Sequence, residues 1–200
     1  MKKMKLNMIG MVAIFAVAIF AVGCDKSDDI VPSAESVELK SGRALPPGDD
    51  PIAAIAINAG FSELVNALFY VDQNVEPSPG LVKLFLEGTD QYTVFAPTND
   101  AFFALYDALG VDAVTDLPAG LVYNVLLYHV TEGRRASNSV VPKNNLKTIE
   151  TLLDGETFTV DSDKMITAVG NTAHITTADV SASNGIIHII DAVILPIVPE

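Results

Sequence analysis

The apolar residues of this chain change their spacing once, and that change constrains the fold more than any other feature of the sequence. In the first half they recur three and four residues apart. Ile52, Ile55, Ala56 and Ala59 form one such series, and Phe61, Leu64, Val65, Leu68 and Phe69 continue it as i, i+3, i+4, i+7 and i+8. That spacing places apolar side chains on one helical face. Asp50-Pro51 supplies a cap followed by proline at the first helical position, and Gly60 is a stop. A short helix is predicted over 79–87. Tyr-Thr-Val-Phe-Ala at 92–96 reads as a buried strand stopped by Pro97. Thr98 or Asn99 then caps a helix through Leu109, with Phe102, Leu105 and Leu109 inward and Gly110 as its end. Leu121, Val122, Val125 and Leu126 mark a further helix entering Tyr128-His129.

The second half reads as strands. Runs at 148–153 and 157–160 flank Asp154-Gly155, a hairpin turn signal. Short β-branched or apolar runs follow at 165–169, 174–177, 186–190 and 192–195. Helices first and strands afterwards point to an α+β domain with a largely antiparallel or mixed sheet; a doubly wound sheet would alternate the two.

Ahead of this domain stand two segments of different character. Lys2, Lys3 and Lys5 precede an uncharged run at 8–22, and the chain's single cysteine, Cys24, follows at once. A basic head, a short apolar middle and small residues at the end are the layout of a secretory signal, here residues 1–23. Fifteen residues at a helical rise give about 22 Å, short of the ~30 Å hydrocarbon core. Phe-Ala-Val-Gly-Cys at 20–24 resembles a bacterial lipobox, although Ala21 stands where leucine is usual. The resemblance implies acylation of Cys24, which becomes the mature N-terminus and anchors the protein to a membrane. Two or three acyl chains hold firmly where one holds marginally. Residues 25–29, acidic with one lysine, resemble a surface-export signal of some Gram-negative lipoproteins and imply an outward-facing position on the outer membrane. Residues 24–49 have no sustained period, carry Pro32, Pro46, Pro47, Gly42 and Gly48, and read as a flexible tether.

Charge narrows the partners. All 25 acidic residues follow Gly23 and nine basic ones remain, so a chain starting at Cys24 carries −16. No basic surface exists to displace counterions from phosphates, which excludes nucleic acid as a partner. One cysteine excludes an internal disulfide and a cysteine-based zinc cluster. The three histidines lie 45 and 14 residues apart, without the close pairing of metal sites, so no metal and no cofactor are implied. Asp161-Ser162-Asp163 lacks the rest of a calcium loop and reads as a hairpin turn. There is no Gly-x-Ser-x-Gly elbow, His-Glu-x-x-His, P-loop or dinucleotide fingerprint, so no catalytic residue is assigned.

Three segments in order are similar to the fasciclin family of extracellular adhesion domains. They are Thr-Val-Phe-Ala-Pro-Thr-Asn-Asp-Ala-Phe at 93–102, Leu-Leu-Tyr-His-Val at 126–130 and Asn-Gly-Ile-Ile-His-Ile-Ile-Asp-Ala-Val-Ile-Leu-Pro at 184–196. The resemblance covers residues 50–196, leaving 197–200 as a tail. It implies a wedge of helices packed on a small mixed β-sandwich or barrel. It also implies a non-enzymatic role in adhesion to other cells, matrix or polysaccharide. Because some members bind carotenoids, carriage of a small hydrophobic ligand is the alternative.

The motif residues Thr98, Asn99, Asp100, Tyr128, His129, His188 and Asp191 are expected to be mostly structural. Thr98 can cap its helix, with Asp100 facing the positive dipole end. His129 is expected half-buried with its ring bridging polar groups near Thr98 or Asp100. It could also shape a partner-binding surface presented by Tyr128, since family adhesion sites have been linked to the Tyr-His segment. His188 shares a strand face with Ile186 and Ile190 and is expected to be packed; His174 can simply face solvent. The stretch 69–80 is longer than in many members and is expected to protrude as a loop, making Phe69, Tyr70, Val75 and Pro77 candidate binding residues.

Overall fold

The computed structural model describes residues 47–77 and 80–198. The leader, Cys24 and the tether up to residue 46 lie outside the described residues, as do 78–79 and 199–200.

The helices come first, as their periodicity predicts. α1 (Ile52–Asn58) and α2 (Ser62–Asn74) join through Gly60, whose φ of +78° is the left-handed conformation that stops α1. Asp50 does not cap α1. The Ile52 N–H instead donates to the Asn184 side chain at 2.8 Å, from the opposite end of the sequence. α3 (Leu81–Glu87) has its first N–H groups taken by Asp72 of α2, whose carboxylate accepts from Leu81 at 2.7 Å and Val82 at 2.9 Å. β1 (Tyr92–Pro97) leads into α4 (Asn99–Leu109) and then, past a 3-10 turn at Val114–Asp116, into α5 (Ala119–Tyr128). On α4 the inward face is Ala101, Phe102 and Tyr106. Tyr106 is 4% exposed and Leu109, expected inside, is 38% exposed. Tyr106 takes the interior because its hydroxyl finds the Glu63 carboxylate at 2.9 Å. Burial and that bond together push its pKa up.

The remaining elements are β2 (Val130–Glu132), a single turn α6 (Ser137–Val140), β3 (Lys147–Glu150), β4 (Thr157–Val160), β5 (Met165–Thr167), β6 (Thr172–Ala182) and β7 (Gly185–Ile190). Their order in the sheet is β2-β1-β7-β6-β5-β4-β3. β1 and β7 are parallel, Val94 beside Ile187, and the other neighbours are antiparallel. The fold is therefore α+β with a mixed sheet. Its two edge strands approach one another, and the Leu152 N–H donates to the Val130 carbonyl at 2.8 Å.

Strand alternation splits the core in two. Val94 and Ala96 of β1 face the helices with Leu64, Leu68, Phe102 and Leu126, while Phe95 faces the other way with Tyr128, Phe158, Ile166 and Ile190. A strand buried on both faces needs a run free of charge, which is how 92–96 reads, and its one hydroxyl inside the fold, Thr93, is buried with that group donating to the Gly133 carbonyl at 2.7 Å. Two expectations fail here. Residues 151–153 leave the β3 ladder, and Thr151 closes the six-residue turn around Gly155 by bonding the carbonyls of Leu153 and Glu156. Residues 192–195 are no strand either. They form an irregular strap in which Val193, Ile194 and Leu195 are buried, its backbone bonded to the side chains of His129 and Asn171 and to Gly170 N rather than into a ladder.

Candidate functional site

The Thr98-Asn99-Asp100 string lies at the junction of two helix starts. Thr98 Oγ1 accepts from Ala101 N at 3.2 Å and caps α4. Asn99 reaches across to α2, which has no cap of its own. Its Oδ1 accepts from Glu63 N at 3.1 Å and its amide nitrogen donates to the Gly60 carbonyl at 2.9 Å. Asp100 is exposed in the first turn of α4, beside the positive dipole end. Asn99→Ala removes two bonds between elements and is expected to cost about 1–2 kcal/mol. Urea unfolding measures it; a change within the range of surface substitutions contradicts the bridging role.

Tyr128 and His129 turn inward. Tyr128 is fully buried, with its hydroxyl donating to the Thr157 carbonyl at 2.8 Å and its ring edge-on to Phe158. It therefore presents no surface, contrary to the expectation for the Tyr-His pair. His129 is 3% exposed rather than half-buried, and its partners are not Thr98 or Asp100. Its Nδ1–H donates to the Val125 carbonyl at 2.7 Å, one helical turn back, and Nε2 accepts from Ile194 N at 3.0 Å. A donor on one nitrogen and an acceptor on the other fix the neutral tautomer. Burial pushes its pKa down to about 4, with the Val125 bond acting in the opposite direction.

His188 is packed as expected and is 0% exposed. Nδ1 accepts from Asp179 N at 3.2 Å and Nε2–H donates to the Arg135 carbonyl at 3.0 Å, while burial lowers its pKa. Around it is a network that the sequence does not announce. Asp179 sits at a bulge of β6 with φ +65°, and its carboxylate accepts from both the backbone and the hydroxyl of Ser137. The Arg134 guanidinium donates to the carbonyls of Ala182 and Gly185 and to Ser181 Oγ. These residues tie the segment after β2 to the β6–β7 hairpin. Ser137, Asp179 and His188 are neighbours, but the hydroxyl bonds the carboxylate and the imidazole bonds two backbone groups, so no nucleophile–base relay is formed.

The hairpin itself explains Asn184-Gly185. Besides binding Ile52 N, the Asn184 side chain donates to the Phe85 carbonyl at 3.0 Å. Gly185 lies so close to β1 that an added Cβ would be 2.1 Å from the Tyr92 carbonyl. Asp191 accepts from His174 N at 2.7 Å, and the His174 ring bonds the Asp163 carbonyl at 2.8 Å. Asp161 caps the expected turn by accepting from the N–H groups of Asp163 and Met165. Among the described residues no group of carboxylates, histidines or cysteine is arranged to hold a metal.

The expected protruding loop is shorter than the sequence suggests. Phe69 and Tyr70 belong to α2, which runs on to Asn74 because the apolar period continues through Val71. Phe69 is 46% exposed on its outer side. Tyr70 is committed to the fold, its hydroxyl donating to the Leu117 carbonyl at 2.8 Å. Val75 packs against the helical core and Pro77 is half-buried.

Two concave surfaces differ sharply in character. One is an apolar cleft between α2, α4, α5 and the strap, lined by Phe102, Leu105, Tyr106, Val125, His129, Leu195 and their neighbours, with a volume of about 90 Å³. The other is a polar groove of about 510 Å³ where the two sheet edges meet, lined by Glu132, Arg135, Glu150, Asp154 and Glu156 among others.

The model of the fasciclin domain matches residues 61–196. Protein sll1483 of Synechocystis sp. is 35% identical over 153 residues, covering 74% of this chain and 76% of its own. The cell surface glycolipoprotein MPB83 of Mycobacterium bovis is 32% identical over 148 residues, covering 74% of this chain and 61% of its own. A solved FAS1 domain pair from the insect cell adhesion molecule fasciclin I aligns over 68% of this chain and 46% of its own, at 18% identity and a TM-score of 0.45. With the three segments now placed on β1–α4, α5–β2 and β7, the chain belongs to the fasciclin domain family.

Proposed function

We propose that this protein is a non-enzymatic, lipid-anchored binding module, held in the cell envelope by acyl chains on Cys24 and presenting its fasciclin domain to cells, matrix or polysaccharide. The observation that carries the reading is the use made of the motif histidines. His129 and His188 commit both ring nitrogens to backbone groups inside the fold, so the family motifs build a scaffold and leave its surface to do the binding. The surface role named for one relative, a cell surface glycolipoprotein, supports the same reading. Among the described residues no helix is long and apolar enough to cross a membrane.

Deleting the gene is expected to reduce attachment of the host cells to one another or to surfaces, with restoration by the intact gene; unchanged attachment contradicts the reading. Intact-mass spectrometry of the native protein is expected to show loss of residues 1–23 and an acylated Cys24. An unmodified thiol contradicts the anchor and leaves the domain as a binding module.

A second reading, carriage of a small hydrophobic ligand such as a carotenoid, is favoured by the apolar cleft. Its space of about 90 Å³ is smaller than the ~150 Å³ that holds a benzene-sized guest, so a long polyene requires the cleft to widen. Extracting protein from its native host tests this: co-purifying pigment or lipid supports carriage, and a ligand-free preparation contradicts it.

A further inference from the structure

We propose that the polar groove between β2 and β3 receives an extended, lysine- or arginine-bearing segment of another protein, which adds as a strand along the β2 edge. The inference deepens the binding reading above by naming a partner class for one face, and it rests on that reading.

The backbone of β2 supplies the pairing groups. The bonds from Phe95 N to the His129 carbonyl and from Gly133 N to the Gln91 carbonyl fix which residues of β2 turn toward β1. Antiparallel rungs alternate, so Thr131 pairs with Thr93 while the N–H and C=O groups of Val130 and Glu132 point away, toward the groove. On the far side the bond from Thr151 N to the Glu156 carbonyl sets the same alternation, so Glu150 turns outward from β4. One backbone bond crosses between the two edges among the described residues, Leu152 N to the Val130 carbonyl.

Charge explains why the edges do not zip further. Following the sheet order around, β3 runs opposite to β2, so two residues beyond the Val130–Leu152 rung Glu132 stands across from Glu150. Like charges across a strand pair are destabilising. Asp154 and Glu156 add two more carboxylates to the same groove. Among the described residues Arg135 is the one cation lining it, and its Nε is already donating to the Glu132 carbonyl at 2.9 Å. An open strand edge is a template for another chain. A neutral or acidic strand would meet the same repulsion that keeps these edges apart. A strand with cationic side chains on alternate positions relieves it, and a carbonyl of its backbone can accept from the Glu132 N–H, the Glu132 carbonyl being already taken by Arg135.

The test uses the full chain in detergent and a fluorescein-labelled octapeptide of alternating lysine and valine. Binding followed by anisotropy is expected to weaken roughly tenfold in the Glu150→Gln/Glu156→Gln protein, one exposed and one half-buried charge pair being lost. It is expected to be unchanged in Asp100→Asn/Asp107→Asn, which alters acids on α4. Exchange of the Glu132 amide hydrogen should slow when the peptide is bound. A second peptide of the same charge, N-methylated on the edge that would pair, is expected to bind at least tenfold more weakly. Equal binding of the methylated peptide, indifference to Glu150→Gln/Glu156→Gln, or no binding of either peptide overturns the proposal. None of these outcomes bears on attachment by gene-deleted cells, so failure of the groove and failure of the binding reading are separately visible.

Discussion

Phe95→Ala is expected to lower the stability of the domain by about 3–5 kcal/mol, read as a fall in the midpoint of urea unfolding. Phe95 is fully buried at the centre of β1, where its ring meets Phe158 edge-on at 5.0 Å and lies tilted against His188 at 5.4 Å. Its strand is held on both sides, by β2 and by the parallel partner β7, so the backbone cannot move in to fill the space. The lost transfer energy and the residual cavity therefore add. Phe103→Ala, on the outer face of α4 where the ring is 50% exposed, is expected to stay within about 0.5 kcal/mol. Similar losses at the two positions would contradict the placement of the second core.

Acid is expected to destabilise the domain through His129. In the unfolded chain its imidazole titrates near the ordinary 6.5, and in the fold burial holds it down to about 4. Between those values the unfolded chain binds a proton that the folded domain refuses. The His129 contribution is therefore complete above about pH 6.5 and is lost progressively as pH falls toward 4. The loss amounts to roughly 3 kcal/mol, since each tenfold difference in proton affinity between the two states is worth about 1.4 kcal/mol. His188, also pushed down by burial, acts in the same direction. Protonation gives His129 Nε2 a hydrogen that points at the Ile194 N–H, so strap and ring then oppose one another. His129→Gln keeps a donor and an acceptor at comparable spacing but does not titrate. The stability advantage of the native protein over this variant is expected to shrink between pH 6.5 and 4, the acidic groups common to both cancelling in the difference. A constant difference across that range contradicts the neutral, doubly bonded histidine.

The elements built from local periodicity are legible in the sequence. Ser62–Asn74 continues a helical stripe, Tyr92–Pro97 is uncharged and mostly apolar because both of its faces are covered, and Thr98 and Gly110 mark the ends of α4. What escaped depends on partners far along the chain. Asp50-Pro51 looks like a cap, yet the group that caps α1 is Asn184, 132 residues away. Residues 192–195 carry the composition of a strand, but their backbone is taken by His129 and Asn171, whose amide bonds both Val193 and Leu195. Leu109 has the right spacing to face inward, and Tyr106 displaces it because Glu63 offers a bond that no helical wheel displays. Of the motif residues, Thr98 and His188 behave as their local setting indicates. Asn99 and His129 bridge elements that the sequence does not place side by side. The groove between β2 and β3 has no local signal, since it exists only where the ends of the sheet come round to meet.

Weak contacts multiplied over many copies are the expected mode of action for an anchored domain, so single molecules in solution are a poor probe. The most direct measurement places the full chain at high density on beads and washes them over an array of polysaccharides, matrix proteins and fixed cells. Retention on at least one surface, competed by soluble clustered protein and lost on beads bearing heat-unfolded chain, is the predicted result. Beads that wash from every surface as freely as bare ones would contradict a domain whose work is to hold on.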